Sequence, residues 1–294
     1  MDQFMQAVIN GIMLGGFYAV MVLGFSIIWG VMGVINLAHG EFIMAGAYTT
    51  WFLSKQFSWE PLLTLVVVMA IFFIVGYILQ RILINRIIDR PYLISLLVTF
   101  GLAIIMANSF KLAFTATPRS VDTILSGFWR AGNVTVPITK SVILIIAVVM
   151  MASLHLFLQR TRLGKSIRAA AQNREAARIV GIVIAAVYAL TFAISISMTG
   201  AAGTLISPIQ PIYPFMGAVL TLKAFAITAM SGLGSIPGAL VGGIVLGLIE
   251  TFVATYVPGI GTNLGIISSY VILVVVLVVR PQGLFGGLKP VDVH

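Results

Sequence analysis

Residues 160–181 read RTRLGKSIRAAAQNREAARIVG and form the most polar segment of a very apolar chain. Apolar runs long enough to cross a bilayer flank the segment on both sides, so we expect it to be a loop in water. Membrane-protein loops rich in lysine and arginine stay in the cytoplasm. The stretch therefore predicts a polytopic membrane protein with a cytoplasmic loop at 160–183. The loop holds six of the chain's 17 basic residues: Arg160, Arg162, Lys165, Arg168, Arg174 and Arg178.

The same loop predicts a short helix that lies outside the membrane. Between Ser166 and Gly181 the sequence is rich in alanine, which has the highest helix propensity, and Gly181 is placed to end the helix. A cytoplasmic helix of this kind indicates contact with a soluble partner.

The composition of the whole chain agrees with a membrane protein that has little or no soluble domain. Of its 294 residues, 60% are hydrophobic and 9% are charged, whereas soluble domains carry roughly 25% charged residues. The run 62–78 is apolar on every face, which argues against the alternating pattern of a membrane barrel. We therefore predict an all-α fold, with residues 1–294 forming a single transmembrane helix bundle.

Apolar segments of about 20 residues recur along the chain, and each is long enough to span the hydrocarbon core as a helix. Some connections between them are very short, so the count stays open at about eight to nine spans or half-spans. The predicted segments are 4–29, 33–53, 61–80, 92–113, 140–159, 184–207, 217–234, 237–257 and 264–280.

The charge distribution predicts an N-terminus outside and a C-terminus in the cytoplasm. With the basic loop inside, the inner segments hold 11 lysines and arginines and the outer segments hold 5. The inner set includes Arg280 and Lys289 of the C-terminal tail. We attribute the net charge of +9 to these inner loops, and no nucleic-acid partner is expected.

Ionisable groups at membrane depth are costly and tend to face a partner or a cavity. Asn36, His39 and Glu41 cluster around Gly40, and two interpretations stay open: a break in a helix that lines a path, or a hydrogen-bonded structural cluster. Lys223 and Glu250 are each predicted to lie about 10 Å below the outer surface. We expect these two side chains to pair across adjacent helices, which offsets the cost of burying either one.

Two further features concern packing and the outer surface. Glycines four residues apart predict close helix packing at Gly11/Gly15, Gly238/Gly242, Gly243/Gly247 and Gly261/Gly265. The outer segment 114–139 is broken by prolines and glycines and is either a connecting loop or a docking surface for an outside partner.

Chemical motifs are few. Gly164-Lys165-Ser166 looks like the end of a P-loop, but Gln159 stands where that motif needs glycine, so ATP binding by this chain is not expected. The chain has no cysteine, which excludes disulfides and thiolate metal sites, and the His39–Glu41 spacing does not fit a zinc-protease motif. No metal, cofactor or catalytic residue is predicted.

Several segments resemble a known family. Residues 175–181 resemble the EAA-xxx-G core of the coupling loop in ATP-binding-cassette importer permeases, although the I-x-LP that often follows is missing from 182–193. Residues 35–41, INLAHGE, and the GLGSIPG segment at 232–238 are similar to motifs of the branched-chain amino acid permeases of the LivH and LivM type. The ending RPQGLFG at 280–286 is also similar to that family.

The resemblance implies a permease subunit of a bacterial inner-membrane importer, which is not itself an enzyme. Its implied partners are a second related permease, two cytoplasmic ATPases that bind the ATP, an extracytoplasmic solute-binding protein and membrane lipid. Selectivity is expected to rest largely with the binding protein, so urea, amides or small organic acids remain alternative substrates, and a secondary transporter remains an alternative class. The implied ATPase-coupling residues are Arg168, Ala169, Ala170, Arg174, Glu175, Ala176, Ala177, Arg178 and Gly181.

Overall fold

The protein is described by a computed structural model, which covers residues 2–279 except 233, 258 and 260. Its described part is helical apart from turns and one β-hairpin. The predicted family-like ending at 280–286 and the basic tail residues Arg280 and Lys289 lie outside the described residues. The helices are α1 Asp2–Met32, α2 His39–Phe57, α3 Leu65–Ile82, α4 Tyr92–Phe114, α5 Ile138–Arg160, α6 Arg162–Gln172, α7 Arg174–Ile179, α8 Ile184–Ile206, α9 Met216–Ser231, α10 Ile236–Tyr256 and α11 Gly261–Val279; the strands are β1 Phe128–Ala131 and β2 Val134–Pro137.

The helices confirm the predicted class of an all-α, polytopic membrane protein. Six stretches of helix in the described part are long and apolar enough to cross a membrane, and α9 and part of α11 are shorter apolar helices. Each predicted segment coincides with a helix, and several bounds shift by a few residues. The helices at 33–53, 217–234 and 264–280 are not among the six long ones in the described part.

The predicted span 33–53 was wrong at its start. Residues 33–38 are not helical, and α2 begins only at His39. Gly33 ends α1 with a φ of +64°, a conformation that glycine adopts without steric cost. The Asn36 side chain then accepts a hydrogen bond of 3.1 Å from the Ala38 amide, which stabilises the turn into α2. The non-helical segment therefore precedes the polar cluster: it includes Asn36, whereas His39, Gly40 and Glu41 belong to the first turn of α2.

Helices α1 and α8 form the centre of the bundle. Every residue of α1 from Gly15 to Ile28 is buried, and most of α8 is buried as well. A helix that is apolar all round belongs in such a position. By contrast, α3, α4 and α5 leave most of their apolar surface exposed, as expected for helices that face lipid.

Glycines allow α1 and α10 to pack against each other with their backbones in contact. A Cβ atom added to Gly15 would lie 2.5 Å from the Ile244 Cα, and one added to Gly243 would lie 2.7 Å from the Ala19 nitrogen. Gly11 and Gly247 make the same kind of contact one turn away. The predicted close packing is confirmed for these two glycine pairs, and the structure shows that they pack against each other.

A larger side chain at this crossing is expected to destabilise the bundle. Gly243→Val should lower the free energy of unfolding by about 1–3 kcal/mol or more, because backbone atoms on the facing helix cannot move aside. Thermal unfolding in detergent would measure the change. Gly101→Val is the matched control, since a Cβ there meets no atom within 4 Å. Equal melting temperatures for the two variants would contradict the packing argument.

Contacts between loops define two opposite faces of the bundle. The hairpin face carries the start of α1, the β-hairpin and the start of α5, and the coupling face, named after the predicted coupling loop, carries α6, α7 and the loop after α3. On the hairpin face, Gln6 of α1 exchanges hydrogen bonds with the Thr135 backbone, and Glu60 binds the segment that contains Thr123. On the coupling face, Asp89 after α3 pairs with Arg174 of α7. The sequence did not predict that segment 114–139 contains a two-stranded antiparallel hairpin.

Candidate coupling element and buried polar sites

The prediction of one continuous helix between Ser166 and Gly181 was wrong. The segment forms two helices, α6 and α7, which meet at Asn173. The Asn173 side chain accepts hydrogen bonds from the Glu175 amide at 3.0 Å and from the Ala176 amide at 2.9 Å. Asparagine is among the best N-cap residues because its side chain binds the unpaired amides of the first turn. The helix therefore restarts at this position instead of running through it.

The predicted stop at Gly181 is confirmed. Gly181 has a φ of +85°, and its amide donates to the Arg178 carbonyl at 3.0 Å. The next amide, that of Ile182, donates to the Ala177 carbonyl at 3.0 Å. This pair of hydrogen bonds is the Schellman arrangement, in which a glycine in the left-handed region satisfies the last carbonyls of a helix.

Removal of the Asn173 cap is expected to loosen α7. Asn173→Ala should destabilise this helix by about 1 kcal/mol, because two amides lose their acceptor. Hydrogen exchange followed by mass spectrometry would show faster exchange at residues 174–179. Asn173→Asp keeps the acceptor and is the control. Unchanged exchange in Asn173→Ala would mean that the cap does not stabilise α7.

The two helices present one side to the bundle and the other to solvent. Among the predicted coupling residues, Ala170 and Ala177 are buried against the bundle, so they are not available to a partner. The others, Arg168, Arg174, Glu175, Ala176, Arg178 and Gly181, are exposed, and Ala169 is half-buried. Sequence reasoning missed an apolar group beside them: the side chains of Ile179, Val180 and Val183 are 86%, 74% and 68% exposed.

Arg174 fastens α7 to the loop that follows α3. Its guanidinium lies 2.7 Å from the Asp89 carboxylate, and the hydrogen bond to Asp89 raises the pKa of Arg174. Both side chains are well exposed, so the pair contributes little to stability. The pair instead fixes position, because it holds α7 against the loop that follows α3.

The cluster at the start of α2 is enclosed by other helices. Asn36, His39 and Glu41 are all buried. The His39 Nε2 atom donates to the Met21 carbonyl of α1 at 2.8 Å, and the Gly40 amide donates to the Thr221 hydroxyl of α9 at 2.8 Å. These contacts fix the start of α2, whereas the Glu41 Oε2 and Asn36 Nδ2 atoms are buried without a hydrogen-bond partner among the described residues. The structural and path-lining interpretations both stay predictions.

Lys223 and Glu250 form the predicted pair. The Lys223 Nζ atom lies 2.7 and 2.9 Å from the two carboxylate oxygens of Glu250, and both side chains are largely buried. Tyr18 of α1 completes the group, because its hydroxyl donates to Glu250 at 2.6 Å and accepts from Lys223 at 2.7 Å. The pairing prediction is confirmed, and α1, α9 and α10 meet at this group.

Nothing in the sequence linked Tyr18 to the pair of Lys223 and Glu250. It lies within an apolar run, more than two hundred residues from both partners. Only the antiparallel packing of α1 on α10 brings its hydroxyl to the pair. Asp89 is a similar case, since its partner Arg174 is 85 residues away.

Comparison with known proteins places the chain in a family. The family model described as the permease component of the branched-chain amino acid transport system matches residues 7–279. The chain belongs to this family. Its relatives include the high-affinity branched-chain amino acid transport permease LivH of Salmonella typhimurium, which is 30% identical over 96% of both chains. BraD of Pseudomonas aeruginosa is 29% identical over the same share, and a probable LivH of Methanocaldococcus jannaschii is 25% identical over 90% of this chain and 87% of its own.

Family membership confirms the resemblance drawn from the sequence motifs. The match runs through α1 to α11, so it includes the helix pair and the buried polar groups. No solved structure matches the chain. A multi-pass membrane permease is thus established by the family and by the helices together.

Proposed function

We propose that this chain is a permease subunit of an ATP-driven importer that moves branched-chain or related amino acids across the bacterial inner membrane. The relatives named above are branched-chain amino acid permeases, and each is similar to this chain over most of its length. The observation that carries the proposal is the helix pair α6–α7, which combines an exposed polar and apolar outer side with a buried inner side. Urea, amides, organic acids and a secondary transporter are less well supported alternatives.

In this proposal the helix pair docks on a cytoplasmic ATPase subunit. The outer side offers charged groups, Glu175 and Arg178, beside the apolar group of Ile179, Val180 and Val183. Such a mixed surface fits a groove on a soluble partner better than open solvent, since exposed apolar clusters mark interaction sites. ATP is bound and hydrolysed by the ATPases, and this chain needs no cofactor.

The helix pair is well placed to transmit movement into the bundle. Gly164 of α6 packs on the end of α5, where an added Cβ atom would lie 2.5 Å from the Leu158 Cα. Ile167 and Ala177 belong to one buried apolar cluster with Ile184 of α8. A displacement of α6–α7 by the ATPase would therefore shift two spans and bias the bundle between its two access states.

The remaining partners follow from the same proposal. A second related permease lies beside this chain in the membrane, and a solute-binding protein docks on the hairpin face, where Phe128 and Trp129 are exposed. The chain forms one permease domain over residues 1–294 with its coupling loop at 160–183. Exposed Arg168 and Arg178 pair with ATPase carboxylates or with anionic lipid.

Co-purification tests the assembly. The tagged chain, extracted from its own membranes in mild detergent, should bring with it one or two P-loop ATPases and a second apolar permease, identified by mass spectrometry. Cells that express the complex with its binding protein should accumulate radiolabelled leucine in an ATP-dependent manner. A chain that is stable alone in several detergents would instead favour a secondary transporter.

The proposed orientation has its own test, helped by the absence of native cysteine. Ile124→Cys lies on the hairpin face and Ile179→Cys on the coupling face, and both side chains are more than 80% exposed. A membrane-impermeant maleimide should label position 124 in spheroplasts and position 179 only after permeabilisation. The reverse pattern would place the N-terminus in the cytoplasm.

A further inference from the structure

A cavity lies at the hairpin-face ends of α1, α5 and α10 and has no role in the coupling described above. Its volume is about 240 Å³, below the roughly 300–1,000 Å³ that is usual for drug-sized ligands. It is lined by residues from these three helices and from the turn after α8. Its size therefore fits a ligand no larger than a single small metabolite.

The two charged residues of the lining have opposite signs, and their backbone positions lie at different depths along α5 and α10. Lys140 is the third residue of α5, so it lies about 3 Å from the outer end of that helix. Glu250 lies six residues before the end of α10, or about 9 Å below it. Among the described residues, Lys140 has no carboxylate partner, whereas Glu250 is held from behind by Lys223 and Tyr18. The lining thus combines a lysine near the hairpin-face end of α5 with a glutamate deeper along α10.

The rest of the lining is largely aliphatic. Met13 and Leu14 of α1, Ile143 of α5 and Ile209 of the turn after α8 face the cavity. Gln210 and Thr251 add neutral hydrogen-bonding groups. Pockets that bind small molecules combine apolar walls with a few polar groups that set the orientation, and this lining has that character.

We propose that this cavity binds a zwitterionic α-amino acid with an aliphatic side chain, its carboxylate directed to Lys140 and its ammonium group to Glu250. One charged hydrogen bond of about 2.8 Å forms at each end of the amino acid. Together with the ligand itself, these bonds span the difference in depth between Lys140 and Glu250. The aliphatic side chain lies against Met13, Leu14, Ile143 and Ile209. This inference rests on the proposed transport function and gives the permease itself a part in choosing the substrate.

The same chemistry disfavours the alternative substrates. An organic acid has no ammonium group, so it would lack the proposed contact with Glu250, which keeps only Lys223 and Tyr18 as partners. Urea and amides have no carboxylate, so they would not neutralise Lys140. A site built to bind a polar group of its substrate rejects an analogue that lacks this group.

Equilibrium binding of tritiated L-leucine to the purified permease complex, without solute-binding protein, tests the inference. We expect saturable binding that 4-methylpentanoate, which lacks the amine, and 3-methylbutylamine, which lacks the carboxylate, each compete at least tenfold more weakly than unlabelled leucine. Lys140→Gln should weaken leucine binding at least tenfold and leave binding of 3-methylbutylamine unchanged. No saturable leucine binding by the unmodified complex would overturn the inference.

A matched pair of variants separates filling of the cavity from general damage. Thr251→Leu fills the cavity and should abolish leucine binding, whereas Thr255→Leu, one turn further along α10 and outside the cavity lining as described, should not. Wild-type binding in Thr251→Leu would overturn the inference. Leucine uptake by cells that express the complex and its binding protein tests the transport function separately. Uptake without leucine binding to the purified complex would contradict the cavity site alone. Leucine binding without uptake would contradict the transport proposal.

Discussion

Lys223→Met is expected to lower the free energy of unfolding by about 3–5 kcal/mol, because it leaves the Glu250 carboxylate buried without its cation. Lys223 is the carboxylate's only ion-pair partner among the described residues, and Tyr18 can supply just one hydrogen bond in its place. The melting temperature in detergent and the yield of monodisperse protein would measure the loss. Glu250→Gln should be destabilising in the same way, since it leaves the Lys223 ammonium unpaired.

Two comparisons make this prediction specific to a buried pair. Arg174→Met removes the exposed pair with Asp89 and should change stability by less than about 1 kcal/mol. The triple variant Tyr18→Phe, Lys223→Met, Glu250→Leu removes all three polar groups together and should recover much of the lost stability, because no charge or hydroxyl is left unpaired. A Lys223→Met protein as stable as Arg174→Met would show that the pair contributes little.

Gly181→Leu is expected to reduce ATP-dependent leucine uptake at least tenfold while the protein still inserts and its partners still hydrolyse ATP. The φ of +85° at this position strains any residue with a Cβ by roughly 1–2 kcal/mol, so the turn that ends α7 would rearrange. No atom lies within 4 Å of an added Cβ, so the effect would not come from a clash within this chain. Uptake and ATPase activity, measured on the same reconstituted complex, give the coupling ratio.

Gly181→Asn is the control for this experiment, because asparagine tolerates the left-handed region better than other residues. It should retain most of the uptake. Glu175→Lys should also uncouple uptake from hydrolysis, since it reverses an exposed charge on the side proposed to meet the ATPase, and Glu175→Gln should do so less. Full uptake in both Gly181→Leu and Glu175→Lys would contradict a coupling role for α6–α7.

Features that depend on local chemistry were predictable from the sequence. The six long spans followed from the length of the apolar runs, because every backbone polar group must be satisfied within a helix in lipid. The stop at Gly181 followed from the conformational freedom of glycine. The pairing of Lys223 with Glu250 followed from the cost of burying either charge alone, together with their similar depth in neighbouring spans.

Features that depend on which helix faces which were not predictable. The predicted helix over 166–181 ignored the competition between helix propensity and the side chain of Asn173, which forms a new N-cap and splits the element. Ala170 and Ala177 point toward the bundle because α6 and α7 lie on the end of α8 that begins at Ile184. A sequence shows which residues can pack closely, but not which partner they meet.

The sequence by itself determined a membrane-spanning helix bundle, its basic loop at 160–183 outside the spans and the need for a partner at the buried Lys223 and Glu250. These follow from hydrophobicity, charge and single-residue preferences, which act over a few neighbouring residues. The tertiary structure alone decided that the glycines of α1 meet those of α10, that Tyr18 joins the ion pair, and that a cavity separates Lys140 from Glu250. These arrangements depend on how helices distant in the chain cross one another, and van der Waals complementarity over whole helix faces selects among the crossings.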